Sequence, residues 1–166
     1  MQKKSLRIEF KYLEEVNKED VLALMNNPLV LRQMPLAKES FDDDAYEKFL
    51  AAKKQLWCDH GYGPWAFIVD GKFAGWGGLQ YEHGDPDLAM VLHPNYWGIG
   101  RYIYEEILKR AFGEMGFKSI TILLPPSRKP SKTLLRYHFK PDGEVKIENE
   151  RFLRFRLHAS DMLKRG

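Results

Sequence analysis

The chain has 166 residues, with 26 basic and 23 acidic side chains and a net charge of +3. This length suits one domain, 1–166, that buries about two-thirds of its unfolded surface, and 44% hydrophobic content with 13% aromatics excludes wholesale disorder. Balanced charge gives no reason to expect nucleic-acid binding, the single Cys58 excludes an internal disulfide, and no apolar run approaches the roughly 18 residues of a membrane span.

Leu6 to Tyr12 alternates apolar and polar side chains and predicts a half-buried strand. Ahead of it, Met1-Gln2-Lys3-Lys4 lacks a signal-peptide core, so the expected location is the cytoplasm. Lys18 to Asn26 reads as a helix closed by Asn27-Pro28. Ser40 and the acidic run Asp42-Asp43-Asp44 open a second helix that reaches about Cys58. After the breaker Gly61-Tyr62-Gly63-Pro64, strands at Trp65–Val69 and Lys72–Tyr81 flank Asp70-Gly71, a strong type I′ hairpin signal. Gly75, Gly77 and Gly78 in the second of these predict a bulge or a close backbone approach. A turn at Gly84-Asp85-Pro86 precedes a third strand, Asp87–Leu92.

From Gly100, the residues Ile103, Ile107, Leu108, Ala111 and Phe112 form an amphipathic helical stripe that ends near Glu114-Met115-Gly116. Lys118–Leu124 follows as a β-branched strand stopped by Pro125-Pro126. A strand, a short crossover helix and a strand imply a parallel or splayed pair, connected right-handedly. Ser131–Tyr137 reads as a short helix, Pro141-Asp142-Gly143 as a turn, and Gly143–Ile147 with Arg151–Leu157 as a closing hairpin. The tail from Asp161 is expected to fray.

The most informative stretch is Val91-Leu92-His93-Pro94-Asn95-Tyr96-Trp97-Gly98-Ile99-Gly100-Arg101-Tyr102, where a strand meets a Gly-x-Gly turn that opens a helix. Glycines at 98 and 100 let successive N–H groups approach an anion, and the helix N-terminus adds its positive end. The motif is either an ordinary turn or a phosphate loop. A dinucleotide fingerprint would need a third glycine where Ile103 stands, and a P-loop would need Gly-Lys-Ser or Gly-Lys-Thr. Residues 128–140 carry Arg128, Lys129, Lys132, Arg136 and Lys140 with no acid, so they form either a solvated helix face or the side from which an anionic ligand approaches.

The order β-α-α-β-β-β-α-β-α-β-β, with the Gly-x-Gly turn between the fourth strand and the third helix, resembles the GNAT superfamily of acyl-CoA N-acyltransferases over roughly residues 6–157. The family signature is Gln or Arg-x-x-Gly-x-Gly or Ala. Asn95-Tyr96-Trp97-Gly98-Ile99-Gly100 matches both glycines and carries Asn at the first position, and the string from His93 is similar to the Rim-type branch. The resemblance implies an α+β fold with a mixed, mostly antiparallel central sheet and splayed parallel strands around 87–92 and 118–124. It implies acetyl-CoA as co-substrate, with Val91, Leu92 and His93 along the pantetheine arm and Trp97, Gly98, Ile99, Gly100, Arg101 and Tyr102 around the pyrophosphate. In Ser127–Phe139, similar to the family's Asn-x-x-Ser-x-x-Leu-Leu stretch, Arg128 or Lys132 would meet the 3′-phosphate and Ser131 the pantetheine or the sulfur region.

Direct transfer to an amine needs a proton acceptor and a polarised carbonyl but no covalent nucleophile. Glu82 is the candidate base, either that or a solvated turn residue, with His83, Asp85 and Asp87 near it in sequence. Tyr137 is the nearest phenol to the family's acid, or else a core tyrosine. Trp57, Tyr62, Trp65, Trp76 and Tyr81 line an acceptor pocket or pack the core. No metal-ligand spacing is present, so no metal is expected. The resulting expectation is an N-acetyltransferase acting on a small-molecule amine or a peptide N-terminus, as a monomer or homodimer, away from membranes. A non-catalytic acyl-CoA sensor is the alternative.

Overall fold

A computed structural model describes residues 5–34, 40–128 and 132–163. Seven strands form one sheet in the order β1-β2-β3-β4-β5-β7-β6: β1 Ile8–Lys11, β2 Pro64–Val69, β3 Lys72–Glu82, β4 Asp85–Leu92, β5 Ser119–Leu124, β6 Lys140–Ile147 and β7 Glu150–His158. All neighbours are antiparallel except β4 and β5. This is the mixed, mostly antiparallel α+β sheet that the sequence led us to expect. The β4–β5 pair is parallel through a single bridge, Asp87 opposite Thr121, and beyond it the strands diverge toward their C-terminal ends.

Turn chemistry fixes the hairpins. Asp70 and Gly71 both have positive φ, 49° and 82°, as the type I′ turn between β2 and β3 requires. The next turn is one residue pair earlier than predicted. His83 and Gly84, at 50° and 86°, make it, so Asp85 and Pro86 already belong to β4. Gly77 sits against the neighbouring strand: a Cβ there would lie 2.2 Å from the Ala89 carbonyl oxygen. The close approach predicted for the glycine cluster is therefore present, and β2 and β3 also shift register between Phe67 and Ile68.

One sheet face is covered by α1 (Lys18–Met25), α2 (Pro28–Leu31) and α3 (Asp43–His60) over Ala66, Trp76, Val30, Leu24 and Tyr46. The other carries α4 (Gly100–Lys109) and α5 (Lys132–Arg136) over Phe67, Leu79, Leu88, Leu92, Ile103, Ile107 and Leu157. Four boundaries differ from expectation. Asn27-Pro28 opens α2 instead of only closing α1, because the Asn27 side chain accepts from the Leu29 N–H and proline occupies the first turn. A 3-10 stretch, Pro94–Ile99, precedes α4, and a π-helical turn, Arg110–Glu114, follows it. Pro141-Asp142-Gly143 is a bulge inside β6, with Pro141 opposite Phe155 and Glu144 opposite Leu153. The segment Ala159–Leu163 forms a last turn of helix, α6, where fraying was expected.

Candidate active site

Where β4 and β5 separate, a cleft of about 370 Å³ opens. Met90, Val91 and Leu92 of β4 form one wall and Trp97 and Gly100 stand at its head. Val30, Gln33 and Met34, from α2 and the residues after it, form the other rim together with Arg128, which follows β5. The Arg128 guanidinium donates to the Gln33 carbonyl at 3.0 Å and to its side-chain oxygen, tying the two rims together. Trp97 is 47% exposed, yet its indole N–H donates to the Leu92 carbonyl at 2.9 Å.

The start of α4 differs from the helices before it. Asn17, Asn27 and Asp42 each cap their helix by accepting a backbone N–H, whereas Ile99 at the head of α4 offers no side-chain acceptor and the first turn holds no acid. The Gly100 N–H donates back to the Trp97 carbonyl of the 3-10 stretch, and the positive end of the helix, with no side-chain cap, opens on the cleft at Gly100. Neither glycine of the motif has positive φ, since both lie in helical backbone. Their contribution is bare surface. A Cβ on Gly98 would meet nothing within 4 Å, and one on Gly100 would make ordinary contacts at 3.4 Å with Leu92 and 3.9 Å with Met90.

The other predicted residues are dispersed. His93 accepts from the Asn95 N–H through Nδ1 at 3.1 Å and, with Asn95, Tyr96, Asp20 and Lys72, lines a second cleft of about 420 Å³ beside α1. Ile99 packs on the core, while the Arg101 guanidinium lies on the exposed Tyr102 ring and bonds its hydroxyl at 2.7 Å. Tyr137 is buried with its ring 5.2 Å from Tyr104, and its hydroxyl donates to Glu105 of α4, so it does not line the cleft. Glu82 stands at the end of β3 opposite Asp85, also outside the cleft lining. Ser131 lies outside the described residues.

A polar row crosses the α1–α3 side of the sheet at the point of divergence. Asp87 is buried, and the Thr121 hydroxyl donates to its Oδ1 at 2.6 Å. Burial, with the charges of Glu82 and Asp85 adding to it, pushes its carboxyl up to about 8 against the opposing hydrogen bond. Cross-strand from Asp87 is Gln80, whose side-chain oxygen accepts from Lys53 of α3 at 2.5 Å. The Lys53 ammonium lies 4.9 Å from the Trp76 ring centroid and 5.5 Å from that of Phe49. Burial holds this amine down at about 8, against the pull of the Glu82 charge. Next to the row, Arg156 of β7 grips Asp85 through two bonds of 2.9 Å and also reaches Ser119 and Asp142. That grip holds the Asp85 carboxyl below its usual range. It bridges β4 to β7 across β5 at the base of the cleft. Among the described residues no group of three His, Cys, Asp or Glu side chains converges as metal ligands would.

A family model of the GNAT acetyltransferase domain matches residues 7–137. The chain belongs to the GNAT acetyltransferases. Solved structures share the fold at low identity. An acetyltransferase from Agrobacterium tumefaciens str. C58 is 18% identical with a TM-score of 0.70 over 92% of this chain and 91% of that one. A GNAT-family acetyltransferase from Bacillus anthracis is 16% identical, TM-score 0.68, over 96% and 98%. PseH, an N-acetyltransferase from Campylobacter jejuni solved in complex with acetyl coenzyme A, is 19% identical, TM-score 0.62, over 92% and 99%. No curated protein matches the chain by sequence. As a GNAT acetyltransferase the chain is an acyl-CoA-dependent enzyme, and its divergent strands are the structural counterpart of the motif at Trp97–Gly100.

Two elements of the site were missed in the sequence. The α2 rim was signalled by Asn27-Pro28, an N-cap followed by proline at the first helical position. Lys53 gave no signal of its own, because it belongs to the polar part of a helix read from its apolar stripe.

Proposed function

We propose that this GNAT enzyme transfers an acetyl group from acetyl-CoA to a primary amine, by direct attack while both are bound. The observation that carries the reading is the uncapped, glycine-bare start of α4 facing the cleft between β4 and β5. That positive helix end suits a pyrophosphate, with Arg128 at the rim as a charge-assisted partner for a further phosphate. The edge of β4 that faces the cleft suits the amides of an extended arm, although Trp97 occupies the Leu92 carbonyl and the His93 N–H donates to the Ala74 carbonyl at 2.8 Å. When bound, acetyl-CoA supplies an acyl group already activated as a thioester.

Of the carboxylates, Asp87 is better placed than Glu82 to receive the proton of the amine. It lies on the same strand as the cleft wall, and burial raises its carboxyl to about 8, so that its ionised form is a strong proton acceptor that becomes more populated as pH rises toward that value. The Thr121 hydroxyl fixes its orientation. No role in proton transfer is assigned to Tyr137, whose hydroxyl is engaged by Glu105.

Calorimetric titration with acetyl-CoA, followed by CoA release across small amines and peptides with free N-termini, tests this reading. Heat of binding together with acetyl-CoA-dependent release on adding an amine is expected. A folded protein that gives no heat at millimolar acetyl-CoA would overturn the cofactor assignment, and binding without turnover of any amine would overturn the transfer.

A further inference from the structure

On the α1–α3 side of the sheet, the cross-strand pairs of β3 and β4 run Trp76 with Val91, Gly78 with Ala89, Gln80 with Asp87 and Glu82 with Asp85. Side chains directly opposite share a face, and alternate residues along a strand return to it. The Gly78–Ala89 pair therefore leaves a floor almost free of side chains between an apolar pair and a polar one. Lys53 Nζ is 4.9 Å from the Trp76 ring and 2.5 Å from the Gln80 oxygen, so it lies above Gly78, the residue between them on that face. Gly78 is buried, with the Trp65 ring also packed against it, while Ala89 beside it is half-buried, as are Met90 and Val91 after it. The spot over Ala89 is bounded on three sides. Val91 of the cleft lies toward the strand end, Asp87 toward the strand start, and the Lys53 ammonium across on β3.

Neither the Lys53 ammonium nor the Asp87 carboxyl at this spot has a counter-ion among the described residues. Among the described residues no carboxylate lies within ion-pair distance of Lys53, and only one of its three N–H groups has an acceptor, a neutral amide. Asp87 receives a hydroxyl and no cation. The neighbouring ions are already matched. Asp85 and Asp142 are taken by Arg156, and Arg154 also pairs with Asp142. Glu82 carries the remaining charge facing the spot, at the outer end of the row. A buried cation and a buried carboxyl without counter-ions each cost stability, and a ligand whose carboxylate meets Lys53 and whose amine meets Asp87 relieves both together.

We infer that the acceptor is a small amine carrying its own carboxylate, such as a free amino acid, bound over Ala89 with the carboxylate on Lys53 and the amine toward Asp87. The inference rests on the transferase reading above. In the reaction the neutral amine nitrogen forms a bond to the acetyl carbonyl carbon, the carbon–sulfur bond breaks and the sulfur leaves as the thiolate of CoA, while the proton lost by the nitrogen passes to Asp87 and from there through solvent to the thiolate, giving the thiol and restoring Asp87. A peptide N-terminus carries an amide in place of the α-carboxylate, and a polyamine has no carboxylate at all. Either would leave Lys53 uncompensated.

The test compares free amino acids with their carboxamides as acceptors for the intact protein, in wild type and in Lys53→Met and Lys53→Arg. The expected result is kcat/KM at least about tenfold higher for the acids, residing in KM, abolished by Lys53→Met and largely kept by Lys53→Arg. Equal rates for acids and amides, discrimination that survives Lys53→Met, or turnover of polyamines or peptides but of no amino acid would overturn it. If no amino acid reacts, calorimetry on the protein saturated with CoA decides, and absence of amino-acid binding there overturns it as well. Failure of acetyl-CoA to bind would instead remove the transferase reading, which separates the two outcomes.

Discussion

Replacing Asp87 by Asn should move stability and activity in opposite directions. The native state holds a proton on this carboxyl up to about pH 8, whereas the unfolded chain releases it near its ordinary value of 3.8. Between those limits the native protein binds more protons than the unfolded one, so stability falls as pH rises through the window and levels off above it. At about 1.4 kcal/mol per pH unit, the burden near pH 7 has an upper bound of about 4 kcal/mol. Asparagine keeps an oxygen for the Thr121 hydroxyl and cannot ionise. Urea unfolding should therefore show the two proteins within about 1 kcal/mol at pH 5, and Asp87→Asn more stable by about 2–4 kcal/mol at pH 8. Lys53, held down at about 8, makes stability rise from there toward pH 10.5, because the unfolded chain keeps a proton the native state has lost. That slope is common to both proteins and cancels in the difference. Acetyl transfer by the variant should drop by about 10²–10⁴ if Asp87 receives the amine proton. Parallel stability profiles for the two proteins would refute the assignment of a buried, late-ionising carboxyl, and an undiminished rate would refute its role as base.

Three further outcomes are expected. Gly100→Ala should fold with unchanged or slightly raised Tm, because the helical φ of −54° suits alanine and the new Cβ has room, while calorimetry should show weaker acetyl-CoA binding; unchanged affinity would mean the bare surface at Gly100 is not used. Trp97 is the only one of the four tryptophans among the exposed large apolar residues, so acrylamide quenching should report mainly on it and fall when acetyl-CoA is added. Arg156→Met should cost about 1–3 kcal/mol in urea unfolding, since it leaves Asp85 without its cation in a partly buried site while Asp142 keeps Arg154, and a loss below about 0.5 kcal/mol would show that the grip is a solvated surface pairing.

Local chemistry made much of the fold legible. Asp42 to Asp44 announced α3, Asp70-Gly71 announced the β2–β3 hairpin, and the strand, Gly-x-Gly and amphipathic helix announced the cleft wall. What stayed hidden depends on partners distant in sequence. Asp87 looked like the polar first residue of a strand, and only its pairing with Gln80 on one side and Thr121 on the other buries it. Glu82, chosen from the same neighbourhood, sits one residue pair beyond at the rim. Pro141-Asp142-Gly143 carries every mark of a turn. It became a bulge because Arg154 and Arg156 of β7 hold Asp142 against the sheet.

The sheet can also be viewed as two antiparallel ribbons, β1 to β4 and β5 to β7, sewn together along a seam of one parallel bridge and one arginine. Within the ribbons β2–β3, β3–β4 and β6–β7 are hairpins between sequence neighbours, while the seam, like the β1–β2 and β5–β7 pairings, joins residues far apart in sequence, Asp87 and Thr121 being 34 positions apart. Its closure bears the loop entropy of α4 and can be slow relative to the hairpins. A ligand lodged between the diverging strands touches both ribbons at once, so it acts as a fastener. The enzyme's resistance to unfolding is then tied to how much of its acyl donor the surroundings supply.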